Sequence, residues 1–147
     1  MTTIYYSKVK DVRSPQKNKE DAGWDFFVPN DFQITTIYPG KDILISSGIH
    51  LNIPENHCGI FFNKSGIATK RHLQCGAAVI DSGYQGEVHI HLSNIHSDQF
   101  CFIDANEKIV QLIFFPFGET ELVEVPFDQL YLGKTSERGS NGFGSTN

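Results

Sequence analysis

The sequence predicts an all-β domain ending in a glycine-rich arm, on three observations. No segment of useful length repeats apolar residues at the 3.6-residue period of an amphipathic helix. Short runs of β-branched and aromatic residues recur instead, punctuated by glycine, proline, asparagine and aspartate. Twelve phenylalanines among 147 residues suit the core of a sandwich or closed barrel.

Taken in order, the first twenty-odd residues alternate weakly and then turn polar, so 14–21 reads as an exposed loop. The Pro39-Gly40 turn introduces strands at 43–45 and 49–53, and Pro54-Glu55-Asn56 closes them. Segments 59–63, 87–94, 99–103 and 108–115 each have strand length, and 121–125 adds another. A short helix fits 65–72, with Ser65 able to cap its first turn. Val79-Ile80 reads as a strand end and 81–86 as turn chemistry, together a hairpin with a carboxylate and a tyrosine near its tip. The last ten residues hold three glycines and one aromatic, too little to fix a conformation alone. The chain therefore divides into one β domain, residues 1–135, and a flexible lid, residues 136–147.

A net charge of −5 argues against gripping a nucleic-acid backbone. No apolar run approaches the ~20 residues that span a bilayer, and the N-terminus lacks the pattern of a secretory signal, so a cytoplasmic location is expected. Cys58, Cys75 and Cys101 are odd in number and lack C-x-x-C spacing, which points to small buried residues rather than a disulfide or zinc framework.

Five places could carry chemistry. In Ala22-Gly23-Trp24-Asp25 a bend delivers a carboxylate to a sheet edge, where a structural acceptor is the commoner role. In Asn63-Lys64-Ser65-Gly66 a cation and a hydroxyl precede a glycine, which suits a phosphate and equally suits an N-cap beside a solvated lysine. The stretch from Gly76 to Glu87 is the most informative. Small residues there permit close approach of a flat ligand, and Asp81, able to deprotonate water, stands near Tyr84, able to wall a pocket. Gln111 is a lone amide among apolar neighbours and needs partners. In the tail, Arg138 could clamp a phosphate and Phe143 could stack on a base. His89 and His91 share one face of a strand but lack further ligands, so they read as surface or interface residues with zinc a minor alternative.

In order, AGWD, NKSG, GAAVIDSGYQGEV, KIVQLI and RGSNGFGST resemble the five motifs of the homotrimeric dUTPase family, including its viral and phage-type members. The resemblance implies a jelly-roll-like β-clip fold, three active sites at subunit interfaces, and hydrolysis of dUTP to dUMP and pyrophosphate. It implies that Asp81 activates the attacking water and that the Tyr84 ring packs on deoxyribose, leaving no room for a 2′-hydroxyl. Lys64, Ser65, Gly66 and Gln111 match phosphate contacts, and backbone from Cys75 and Gly76 to Ala78 would read the uracil edge. Arg138 matches the γ-phosphate arginine, Phe143 with Gly144 the lid over the base, and Ser145 and Thr146 further γ-phosphate contacts. Asp25 is a supporting residue. Mg2+ would be held by triphosphate and water, with no direct protein ligand. Three departures stand out: Lys64 replaces an arginine, Gly83 a frequent second acid, and Asn106 a turn glycine. The alternatives are a dCTP deaminase of the same fold, or a protein that keeps the fold to bind a regulatory partner.

Overall fold

A computed structural model describes residues 1–143. Its strands are β1 (Tyr5–Lys8), β2 (Trp24–Phe27), β3 (Thr35–Ile37), β4 (Asp42–Asn52) and β5 (His57–Asn63), followed by helix α1 (Ser65–Arg71). Then come β6 (Leu73–Cys75), β7 (Val79–Asp81), β8 (Glu87–Asn94), β9 (Cys101–Ile103), β10 (Lys108–Pro116) and the single turn α2 (Phe127–Leu130). Antiparallel pairing gives two four-stranded sheets, β1-β4-β8-β6 and β2-β10-β5-β7, and a ribbon, β3-β9. The all-β architecture agrees with the sequence pattern.

Alternation builds the core. Along β8, Val88, Ile90 and Leu92 are buried between outward residues, and they meet Phe26, Phe61, Ile109, Val110 and Leu112 of the other sheet in one cluster. Twelve phenylalanines do not fill this core: Phe26, Phe27 and Phe61 are buried, while Phe62, Phe100, Phe102, Phe115, Phe117, Phe127 and Phe143 are exposed. Aliphatic side chains do most of the packing. Buried Asn94 anchors the ribbon, donating from its amide to the Ile37 and Gln99 carbonyls, each at 2.9 Å, and accepting from His96 N–H.

Several expected elements differ. Segments 43–45 and 49–53 are one strand, β4, carrying a bulge where Ser46 and His50 face His89 and Glu87. The Glu87 carboxylate fills that bulge, accepting from the Ser46 hydroxyl and, at 2.6 Å, from Gly48 N–H. No hairpin joins β7 to β8, because β7 pairs with β5 and β8 with β4 and β6; residues 82–86 cross from one sheet to the other. Residues 121–125 form no strand and lie exposed. Strand 99–103 shortens to β9, and short strands β1, β2, β3 and β6 appear where the pattern was weak. The three cysteines are half-buried rather than buried. Among the described residues no helix is long and apolar enough to cross a membrane.

Candidate functional site

Two groups of predicted residues form within the chain. The first gathers around the end of β5, where β2 and β10 run alongside: in register, Gln111 faces Asp25 on one side and Phe62 on the other. The Gln111 amide donates to the Asn63 carbonyl at 3.0 Å, and the Asn63 side chain accepts from Cys75 N–H at 2.7 Å. Lys64 is not solvated. Its ammonium pairs with Asp25, whose other oxygen takes Lys108 at 3.0 Å. Partial burial alone would raise the Asp25 pKa, but the hydrogen bonds and charges of Lys64 and Lys108 outweigh it and hold the carboxyl below its usual range. Asp25 thus fixes the Lys64 side chain on β2. Helix α1 begins at Ser65, yet Lys64 is its N-cap and no side chain caps the turn, so the Ser65 hydroxyl is not spent on the helix. Gly66 faces open space.

The second group lies at the other end of β5, where Asp81 is opposite Cys58. Asp81 is exposed and makes no ion pair among the described residues. A turn follows, closed by Tyr84 N–H on the Asp81 carbonyl at 3.1 Å. The Tyr84 hydroxyl then donates to the Glu87 carbonyl at 2.8 Å. Asp81 and Tyr84 share a cleft of about 220 Å3 with Leu44, Ala77, Val79 and His89. Gly76, Ala77 and Ala78 link β6 to β7, carrying chain from one sheet to the other along this cleft. Burial pushes the Cys75 thiol up to about 11.

From Cys58, opposite Asp81, to Asn63, beside Lys64, is five residues of extended chain, about 17 Å. The chain therefore keeps its carboxylate–tyrosine cleft apart from its lysine–serine–glutamine corner. Among the described residues of the tail, no side chain bonds to either. Arg138 donates from Nε to the Asn141 carbonyl at 2.9 Å, Phe143 is fully exposed, and Gly144, Ser145 and Thr146 lie outside the described residues.

The sequence flags Asn63 within a motif and His91 as a surface or interface residue, but shows the structural role of neither. Asn63 bridges the Gln111 corner to Cys75, and His91 holds the backbone of Ala77, each reaching residues that only the folded sheets bring near. His89 is exposed and bonds only the Glu87 carbonyl.

A family model described as dUTPase matches residues 12–147. The deoxyuridine 5′-triphosphate nucleotidohydrolase of Clostridium tetani is 34% identical, over 98% of this chain and 98% of its own. That of fowlpox virus is 33% identical, over 98% and 95%. Among solved structures, the dUTPase of Staphylococcus bacteriophage 80alpha with dUpNHpp, described with phage dUTPases as controlling transfer of virulence genes, superposes with a TM-score of 0.86. It is 27% identical and covers 100% of this chain and 99% of its own.

Proposed function

The chain belongs to the dUTPase family, whose reaction is hydrolysis of dUTP to dUMP and pyrophosphate, and from that premise we propose that Asp81 activates the attacking water. The observation that carries this is the exposed Asp81 carboxylate, without an ion pair among the described residues, in one cleft with Tyr84 and Ala77. Asp81 takes a proton from water as the oxygen bonds to the α-phosphorus, and the bond from that phosphorus to the bridging oxygen breaks to release pyrophosphate.

The remaining roles follow from placement. Tyr84 packs on the deoxyribose. Backbone from Cys75 to Ala78 reads the uracil edge; the Ala77 carbonyl has no hydrogen-bond partner among the described residues and can accept from uracil N3–H. Lys64, Ser65, Gly66 and Gln111 meet phosphate oxygens. Arg138, Phe143, Gly144, Ser145 and Thr146 act as a lid, with Arg138 on the γ-phosphate and Phe143 over the base.

Mg2+ would be carried by the triphosphate and water, and the Lys64, Ser65 and Gln111 corner would hold the phosphates that carry it. Bound so, the ion neutralises phosphate charge, and the chain's part is to hold the triphosphate in line with Asp81. A homotrimer, with sites at subunit interfaces, is supported by the distance between the two half-sites: one chain's corner completes another's cleft. A regulatory partner beside the enzymatic role is supported by the likeness to the phage 80alpha protein.

Asp81→Asn should lower turnover of dUTP by roughly 10²–10⁴-fold while calorimetry still records nucleotide binding. Near-normal hydrolysis by that variant would overturn the assignment. The same assay run on UTP, dTTP and dCTP, with ammonia measured for dCTP, separates this reaction from deamination.

A further inference from the structure

We propose that His91 is a positioning residue for base recognition, its ring setting the backbone that meets the uracil. The proposal rests on the reading that Cys75 to Ala78 read the base. His91 lies on β8, outside the five motifs, and reaches that link twice. Its carbonyl accepts from Gly76 N–H at 3.1 Å, and its ring Nδ1 accepts from Ala77 N–H at 3.0 Å.

Because Nδ1 is the acceptor, the ring proton sits on Nε2, which faces an Asp42 carboxylate oxygen at 2.9 Å. Asp42, across the sheet on β4, thereby selects the tautomer that can receive Ala77. Close approach completes the fit. A Cβ added at Gly76 would lie 2.0 Å from His91 Nδ1, so the ring rests directly on the backbone it orients. With Cys75 N–H held by Asn63 and the Ala78 carbonyl held by Phe61 N–H at 2.9 Å, the link is pinned at each residue from 75 to 78. The free Ala77 carbonyl is then aimed by these neighbours toward uracil N3–H. Cytosine N3 carries no proton and gives that carbonyl no donor.

Steady-state kinetics of dUTP hydrolysis on the full chain tests this. His91→Leu removes the acceptor and should raise KM for dUTP about 5- to 10-fold, with kcat changed less than about 2-fold and the preference for dUTP over dCTP reduced. His91→Asn keeps an acceptor oxygen where Nδ1 stands and should return KM toward wild type; His91→Gln, whose oxygen lies at the Nε2 position, should not. Asp42→Ala, at an exposed site, should shift KM in the same direction by a smaller factor. Unchanged KM in both His91→Leu and Asp42→Ala overturns the proposal. Failure of the wild-type chain to hydrolyse dUTP would instead overturn the functional reading beneath it.

Discussion

Tyr84 shows how a side chain can be placed by its own neighbours. Its N–H closes the turn on Asp81, its hydroxyl is tied to the Glu87 carbonyl, and its ring lies over Gly86, where an added Cβ would come within 2.9 Å of the hydroxyl oxygen and two ring carbons. Gly86→Ala must therefore lift the ring. The expected result is a fall of at least about 10-fold in kcat/KM for dUTP, with weaker rejection of UTP, measured by pyrophosphate release; wild-type values on both substrates would remove Tyr84 from the sugar pocket. Asp81 and Tyr84 were legible in the sequence because the turn that presents them is encoded within a few residues. The roles of Asn63 and His91 were not, since their partners lie 12 and 14 residues away across strand pairs. Asn106 was legible as an odd residue at a turn, and it does adopt the left-handed φ of 63° that asparagine tolerates.

At the scale of strands, the bulge in β4 and the crossing from β7 to β8 were both misread, for related reasons. Apolar alternation at 43–45 and 49–53 looks like two strands because Ser47, Gly48 and Ile49 are buried in succession. Similarly, turn residues at 82–86 look like a hairpin because local composition says where a chain bends, not which partner its strand then takes. Glu87 stabilises both places at once. Partial burial would raise its pKa, but hydrogen bonds from Ser46 and Gly48 and the charges of Lys10 and His89 leave it lowered. A lowered carboxyl contributes stability that is present above its unfolded value, near the usual 4.5, and is lost as pH falls through the folded value. Glu87→Gln should therefore be less stable at neutral pH and show a shallower loss on acidification in urea melts at pH 3 to 6. The slope should shrink rather than vanish, because Asp25 is shifted the same way. An unchanged acid limb in Glu87→Gln would show that the bulge does not depend on this charge.

The whole molecule leaves a large apolar surface unburied after the last strand: Leu122 is 100%, Leu132 80% and Phe127 82% exposed. Segment 121–125 has strand composition, yet it is irregular and exposed, because composition alone does not supply a pairing partner. The proposed assembly makes a sharp prediction. Asp81→Asn and Arg138→Ala chains, each inactive alone, should regain part of the dUTPase activity when co-refolded, since some mixed sites draw an intact carboxylate and an intact arginine from different chains. If the mixture stays as inactive as its components while light scattering shows mixed oligomers, each site is built within one chain. The fold class and the motif residues were legible because they are written in local chemistry. The separation of the Asp81 cleft from the Lys64 corner was not, because it follows from which ends of β5 the two groups lie beside.

That the tyrosine ring is already seated by the Glu87 carbonyl and the glycine beneath it has a consequence for the order of events. On the proposed role of Tyr84, a ribonucleotide would meet a ring already held by its hydrogen bond, so the sugar would be tested at first encounter, ahead of any closing of the tail. Rejection at that stage costs the protein no conformational cycle. An abundant wrong nucleotide would then leave as quickly as it came.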